Sequence, residues 1–290
     1  MTARERFRIR CWGARGTCPS PGPRTVRYGG NTSCVEVRTA ANELLVLDAG
    51  SGIRGLGAAM QHDGDRSTVH VFLSHRHGDH VLGLPHFAPL FASQWSVCLH
   101  CGNSDAATLR PFLEALLSPP IFPHLDGLTE RLNVCDWTEN GSSAYATVGS
   151  ARIHRLRANH PGEAAVLRID DATGPVVAYA PDNELGYHNG DDATVAWRDS
   201  LVQALRGIPL LIHDATYTEE ELAKHAGWGH SSAEEATRFA LEAGVGSLVL
   251  FHHHPDRSDD AVDTILARCR DMAGNGLEVM AAYEGQELRV

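Results

Sequence analysis

Nowhere does this sequence carry an apolar run long enough to cross a bilayer or to act as a secretory signal, and its start, Met1-Thr2-Ala3-Arg4-Glu5-Arg6, is charged. A cytoplasmic protein with no membrane partner is expected. Positive charge is also scarce. Twenty-five Lys and Arg against 36 Asp and Glu leave a formal charge of −11, with no dense basic run. Proteins that hold long nucleic acids usually present a basic stripe, because neutralising phosphates and releasing counterions supplies most of the binding free energy. No large nucleic-acid partner is expected, although a local arginine can still hold one phosphate. Cysteines are few, odd in number and scattered: seven, at 11, 18, 34, 98, 101, 135 and 269, in a chain too long to need disulfide staples. Reduced thiols are expected. Cys98-Leu99-His100-Cys101 has the spacing of a redox or metal pair, but no second such pair follows, and it reads as a structural loop. No Ser/Gly/Pro linker divides the 290 residues, 43% of them hydrophobic, so one domain over 1–290 is expected.

What the chain does have is histidine, 17 in all. His75, His77, Asp79 and His80 lie within six residues, directly after the apolar run Val69-His70-Val71-Phe72-Leu73, which reads as a buried β-strand. If the chain stays extended through His75 and His77, their side chains project to one side, because a strand repeats every two residues. Gly78 then permits a turn, and Asp79 and His80 follow on a new heading. Two pairs so disposed suit two neighbouring metals better than one. Imidazole with carboxylate fits Zn²⁺, and also Mn²⁺ or Fe²⁺. A histidine-rich surface turn is the plain alternative, and the H-x-H-x-D-H spacing after a strand is too specific for it.

Other chemistry-bearing residues fall at the ends of further predicted strands. Phe7–Trp12 alternates like a strand, and the Gly- and Pro-rich loop from Gly13 to Gly30 reads as a lid. A hairpin of Asn31–Arg38 and Glu43–Leu47 ends at Asp48, which either supports a ligand or caps a helix starting near Ile53. Val81–Phe87 is expected to continue into a helix, with His86 as a packing residue behind the site. Leu109–Leu117 reads as an amphipathic helix, and Ser118–Pro123 as a rigid turn able to close over a substrate. The strand Ala151–Arg157 leads to His160-Pro161-Gly162. His154 within it reads as structural, while Arg152, Arg155 and Arg157 are either phosphate contacts or a solvated sheet face. Val176–Ala180 ends at Asp182, a ligand or a helix N-cap. Leu210–Tyr217 is a further strand that carries His213 and Asp214. Ser232 and Glu235 have capping-box spacing before a helix over Ala233–Ala243, which leaves His230 just ahead of that helix. Ser247–Phe251 is the last buried strand and ends in His252-His253-His254.

The run His75-x-His77-x-Asp79-His80 resembles the signature of the metallo-β-lactamase-fold hydrolases. The Ser118–Pro123, His230 and His252–Pro255 segments are similar to those of its phosphodiesterase and tRNA 3′-processing ribonuclease branch. The resemblance implies an α/β fold, a four-layer αββα sandwich of two mixed sheets with helices outside. It assigns His75, His77 and His160 to one metal, Asp79, His80 and His252 to a second, and Asp182 to both, with His253 the alternative to His252. Asp48 would orient a ligand histidine, and His213-Asp214 would support the site. His254 stands where related sequences commonly have aspartate. The cofactors implied are two divalent metal ions, zinc first and Mn²⁺ or Fe²⁺ next. Such a pair lowers the pKa of a shared water to roughly 7 and clamps the oxygens of a displacement. Asp79 would orient the nucleophile, and His230 would donate to the developing charge on a phosphoryl oxygen. The expected activity is a phosphodiesterase on a small phosphodiester such as a cyclic nucleotide. A tRNA 3′-end processing endoribonuclease is an alternative, lacking here the Gly-rich basic insertion such enzymes carry. A lactonase or thioesterase is another, and a non-catalytic metal-binding scaffold a third, against which stands the full ligand set. A homodimer built on Pro85–Leu90 is an alternative to a core role for that segment.

Overall fold

A computed structural model describes residues 7–60, 67–102, 106–123, 132–140, 143–187 and 190–290. The chain opens with β1 (Arg8–Gly13), β2 (Cys34–Arg38), β3 (Leu44–Leu47), α1 (Ile53–Met60), β4 (Ser67–Leu73), the short α2 (Gly78–Val81), β5 (Trp95–Cys101) and α3 (Ala106–Leu116). Strands then follow one another: β6 (Leu132–Val134), β7 (Thr138–Asn140), β8 (Ser143–Val148), β9 (Ala151–Arg157), β10 (Ala165–Asp171) and β11 (Gly174–Ala180). The last third alternates α4 (Asp192–Ala204), β12 (Leu210–Asp214), α5 (Glu219–Leu222), α6 (Ala233–Glu242), β13 (Ser247–Phe251), α7 (Asp259–Ala273), β14 (Glu278–Ala281) and β15 (Glu287–Arg289).

Two mixed sheets result, ordered β15-β1-β2-β3-β4-β5-β6 and β14-β13-β12-β11-β10-β9-β8-β7. In the first, β3 to β6 run parallel and β15, β1, β2 and β3 pair antiparallel. In the second, β11 to β14 run parallel and the remainder is antiparallel. Period-two alternation makes three apolar layers from these strands. Leu45, Leu47 and Phe72 of the first sheet meet Val177, Tyr179, Val249 and Phe251 of the second between the sheets. Leu44, Val46, Val69, Val71 and Leu73 point the other way, onto α1 and α3. Ala178, Ala180, Leu248 and Leu250 point outward onto α4, α6 and α7. Each fully buried Leu or Phe in these layers contributes about 1.5–3 kcal/mol. The result is the αββα sandwich that the resemblance implies.

Several local expectations need correction. Val81–Phe87 does not continue as one helix: α2 stops at Val81 and a single 3₁₀ turn, Leu84–His86, follows. The cause is the close approach at Gly83, where an added Cβ would lie 1.9 Å from the Gly50 carbonyl oxygen. His86 is exposed, its ring edge-on to Phe122, and does not back the site. Phe87 and Leu90 are completely buried against the α1 layer, so the apolar side chains of this segment serve the core. Cys98–Cys101 is strand β5, not a loop, and Cys98 is joined to Cys135 in a disulfide, so the thiols are not all reduced. The strand from Leu210 ends at Asp214, because the Asp214 carboxylate accepts from Thr216 N and turns the chain. Ser232 caps α6 as expected, but Glu235 accepts from Tyr187 N and does not close the box. A reciprocal capping box is instead found at Thr218 and Glu221. Among the described residues no helix is long and apolar enough to cross a membrane.

Candidate metal centre and active site

Every implied ligand lies just beyond the carboxyl end of a strand on one rim of the sandwich, where α/β folds usually place their sites. β4 leads into His75, β9 into His160, β11 into Asp182 and β13 into His252. His75, His77, His160 and Asp182 form one group of converging ligand atoms, and Asp79, His80 and His252 a second. The rings of His75 and His77 are 4.5 Å apart, as an extended chain through both requires, and α2 then turns Asp79 and His80 toward the second group. His77 Nδ1 is 3.1 Å from His160 Nε2.

Asp182 lies between the groups. Its Oδ1 is 3.0 Å from His80 Nε2 and 3.2 Å from His252 Nε2, while Oδ2 is 3.6 Å from His75 Nε2 and 3.5 Å from His160 Nε2. Asp79 Oδ2 is 3.2 Å from His80 Nε2, 3.0 Å from His252 Nε2, and accepts from Thr17 N at 2.7 Å. The 13–30 loop therefore borders the site, held by fully buried Arg15, which donates to Gly29 O and to Arg257 O.

Two buried carboxylates behind the ligands set which nitrogen His75, His80, His230 and His252 present. Asp48 accepts from His80 Nδ1 at 2.7 Å and from the Ser74 hydroxyl at 2.9 Å, and that hydroxyl accepts in turn from His75 Nδ1 at 3.0 Å. Asp214 repeats the arrangement on the other sheet. It accepts from His230 Nδ1 at 2.8 Å and from the Thr216 hydroxyl at 2.7 Å, which faces His252 Nδ1 at 2.9 Å. His160 Nδ1 donates to Gly229 O at 2.8 Å. With Nδ1 so occupied, Nε2 is the nitrogen that each of these rings turns inward. Asp48 and His252 both hold positive φ, 60° and 59°. Left-handed backbone at a non-glycine residue costs roughly 1 kcal/mol or more, and its occurrence at both strand ends marks where packing overrides local preference.

The electrostatics favour positive charge. His75 Nε2, His80 Nε2 and Asp182 Oδ1 are buried with no well-directed hydrogen bond, although His80 Nε2 lies only 3.0 Å from Asp182 Oδ1. Burial opposes charge on His80, yet Asp182, Asp48 and Asp79 push its pKa well above the ordinary value. Burial and the neighbouring His80 drive His75 well below it. His230 is likewise opposed by burial, but Asp214, Asp182 and Asp79 raise it to about 9.

His230 sits between the groups, ring centroids 5.1 Å from His160 and 5.0 Å from His252. A cavity of about 440 Å³ is lined by His160 with Asn159, Glu184, Asp191, Thr194 and Gly229. His253 is turned away, donating to Ala282 O, and His254 lies against Tyr217. His213 is buried between Asn183 and the Asp214 carbonyl. His154 pairs with Asp170. Two arginines of β9 are engaged away from the site: Arg155 bonds Gly102 O and Glu139, and Arg152 covers the Tyr145 ring. Sequence reading missed Ser74, Thr216, Arg15 and Gly229. Ser74 and Thr216 were adjacent to residues already singled out, whereas Arg15 and Gly229 matter only through tertiary contacts.

Gly229 has φ +85°, and an added Cβ would lie 2.4 Å from His160 Nδ1. Gly229→Ala should therefore push the His160 ring aside and weaken metal binding by at least ~10-fold, as loss of an orienting contact does. Isothermal titration with Zn²⁺ would check this; unchanged affinity would contradict it.

An αββα sandwich with paired histidine and carboxylate groups along one rim defines the class of metal-dependent hydrolases. The chain belongs to the beta-lactamase superfamily: the model of the beta-lactamase superfamily domain matches residues 44–253. An uncharacterized protein of Mycobacterium bovis is 31% identical over 224 residues, 75% of this chain and 72% of its own length. A ribonuclease Z of Haloarcula marismortui is 26% identical over 299 residues, 90% of this chain and 91% of its own. Among solved structures, the metallo-beta-lactamase fold protein YhfI from Bacillus subtilis aligns with a TM-score of 0.69 at 20% identity, covering 99% of this chain and 100% of that one. A diphosphatase from the PhnP family aligns at 0.64 and 15% identity, covering 98% and 97%.

Proposed function

We propose that the protein is a dinuclear metal-dependent phosphodiesterase acting on a small phosphodiester, a cyclic nucleotide being the first candidate. His75, His77 and His160 would hold one divalent cation, Asp79, His80 and His252 a second, and Asp182 both. The donor set fits: Asp182 lies between the groups, and the unpartnered His75 Nε2, His80 Nε2 and Asp182 Oδ1 face one another across a space that calls for positive charge. Imidazole with carboxylate is a zinc-type set, open also to Mn²⁺ and Fe²⁺. Bound cations supply a nucleophilic oxygen at neutral pH and neutralise charge on the scissile group.

The protein's own residues do the rest. Asp79, fixed by Thr17 N, accepts a hydrogen bond from the attacking oxygen and orients it. His230, its Nδ1 held by Asp214, keeps Nε2 for a phosphoryl oxygen or leaving group and donates there as charge develops. The placement of His230 between the two ligand groups is the observation that carries the phosphodiester reading, since a third donor at that point answers to an anionic group with several oxygens. The cavity of about 440 Å³ that His160 lines falls within the general size range of small-molecule sites. Its lining is polar, and the formal charge of −11 opposes a long nucleic acid.

Ribonuclease Z is the second reading, favoured by a relative of that name aligning over 90% of the chain. His230→Gln is expected to lower kcat on a phosphodiester by about 10²–10³-fold with metal content unchanged, the usual cost of one transition-state donor. Comparing the variant on bis-p-nitrophenyl phosphate, a cyclic nucleotide, a lactone and a thioester tests the reading. A loss confined to phosphodiesters supports it, whereas an equal loss on lactones would oppose it. Cleavage of a precursor tRNA in preference to every small diester would favour the second.

A further inference from the structure

We propose that His70, Cys98, His100 and Cys135 form a separate metal site, which takes a zinc ion when the bridge between the two cysteines is reduced. His70 of β4 is level with Cys98 of β5, and His100 lies two residues on, so all three side chains share the face of the sheet turned toward its partner sheet. A ligand atom from each of the three lies within 4.8 Å of the others, with Cys98 Sγ 3.4 Å from His100 Nε2. Cys135 follows β6, anchored by its N–H to Leu99 O, and its sulfur is bonded to that of Cys98.

The two imidazoles are not otherwise employed as their chemistry requires. Nδ1 of His70 is buried with no hydrogen-bond partner, a state that costs about 1–3 kcal/mol, and His100 turns its Nε2 to the Cys98 sulfur at 3.4 Å. Their rings are near-parallel, 23° and 5.9 Å apart, and Phe72 and Trp137 close the apolar wall beside His100. Burial keeps both histidines neutral, His100 down at about 4, and neutral imidazole is the form that ligates metal. Two thiolates and two imidazoles are a tetrahedral zinc set, and with four protein ligands the site is closed, hence structural and not hydrolytic. His70 and Cys135 are half-exposed and give the ion a way in.

The Cys-x-x-Cys spacing hid this grouping. On a strand, residues three apart face opposite ways, so Cys101 belongs to the outer layer while Cys98 faces inward. Formation of the site is balanced as follows. A dithiol reductant gives two electrons and two protons to the Cys98–Cys135 bond and becomes a disulfide itself; the divalent ion then replaces the two thiol protons. The ion would tie β4, β5 and the chain after β6 together, on the strand that leads into His75.

Cobalt separates this site from the His/Asp centre, which holds no sulfur and gives no thiolate-to-cobalt charge transfer. The full-length chain would be treated with a dithiol until thiol titration shows Cys98 and Cys135 free, then titrated with Co²⁺. A near-ultraviolet charge-transfer band is expected, with one cobalt per chain more than a Cys98→Ser/Cys135→Ser variant binds, and Zn²⁺ should abolish the band. His70→Gln and His100→Gln should each weaken the site by at least ~10-fold, no less than loss of an orienting neighbour costs. No band in the reduced wild-type chain, a band undiminished in both histidine variants, or a disulfide that withstands the dithiol would each overturn the proposal.

Discussion

Asp182→Asn is expected to lower phosphodiester turnover by at least ~10³-fold, a loss of about 4 kcal/mol of transition-state stabilisation. Asn keeps the shape but removes the charge shared by four histidines, whose Nε2 atoms lie 3.0–3.6 Å from the two carboxylate oxygens. It also turns a donor toward one group, where an acceptor is needed. Both cation sites should weaken together, so metal analysis should show less than the wild-type content in proportion to both groups, not one. The side chain is buried and the swap nearly isosteric, so a folded variant is expected. Turnover within tenfold of wild type at saturating metal would contradict the bridging role.

The second large effect falls on stability. Asp48→Ala should cost at least ~4 kcal/mol, because four buried donors lose their acceptor and each unpartnered group costs about 1–3 kcal/mol. The donors are Ser74 N at 2.6 Å, the Ser74 hydroxyl, His80 Nδ1 and the Tyr179 hydroxyl at 2.9 Å. Alanine also tolerates φ +60° less well than aspartate, which adds to the loss. At roughly 2 °C per kcal/mol for a domain of this size, Tm should fall by about 8 °C or more. Asp48→Asn retains shape and part of the bonding. It should melt closer to wild type while losing about 10–100-fold in metal affinity, because His80 is no longer held by a charge. Thermal melts and metal titrations of both variants check this, and an Asp48→Ala melt within 2–3 °C of wild type would contradict it.

Much of the centre was readable from sequence, because its ligands follow apolar runs of strand length and a contiguous H-x-H-x-D-H needs little tertiary context. The strands before His75, His160, Asp182 and His252 appear where hydrophobic period and turn residues put them. Asp48 and Asp214 could be suspected of supporting roles, but not their shared design. The hydroxyl relays through Ser74 and Thr216 exist only because strand ends from both sheets meet on one rim. Arg15 was opaque for the same reason: its partners, Gly29, His254 and Arg257, are brought to it by the fold. Where the reading erred, a one-dimensional pattern had been given a three-dimensional meaning. His86 seemed to continue a helix that Gly83 packing against Gly50 ends, and Cys98–Cys101 read as a loop of reduced thiols where strand β5 brings Cys98 to Cys135. Of the arginines of β9, Arg152 is occupied by Tyr145, and Arg155 by Trp137 and Glu139.

The most direct test of the dinuclear phosphodiesterase is turnover of bis-p-nitrophenyl phosphate and of 3′,5′- and 2′,3′-cyclic nucleotides by metal-stripped protein as Mn²⁺ or Zn²⁺ is added back, beside Asp79→Ala. Activity that rises with metal to saturation at two equivalents in the hydrolytic centre, and is absent from the Asp79→Ala variant, is the predicted result. A protein that holds both metals yet hydrolyses none of these phosphodiesters would contradict the account and turn the search to lactones and thioesters.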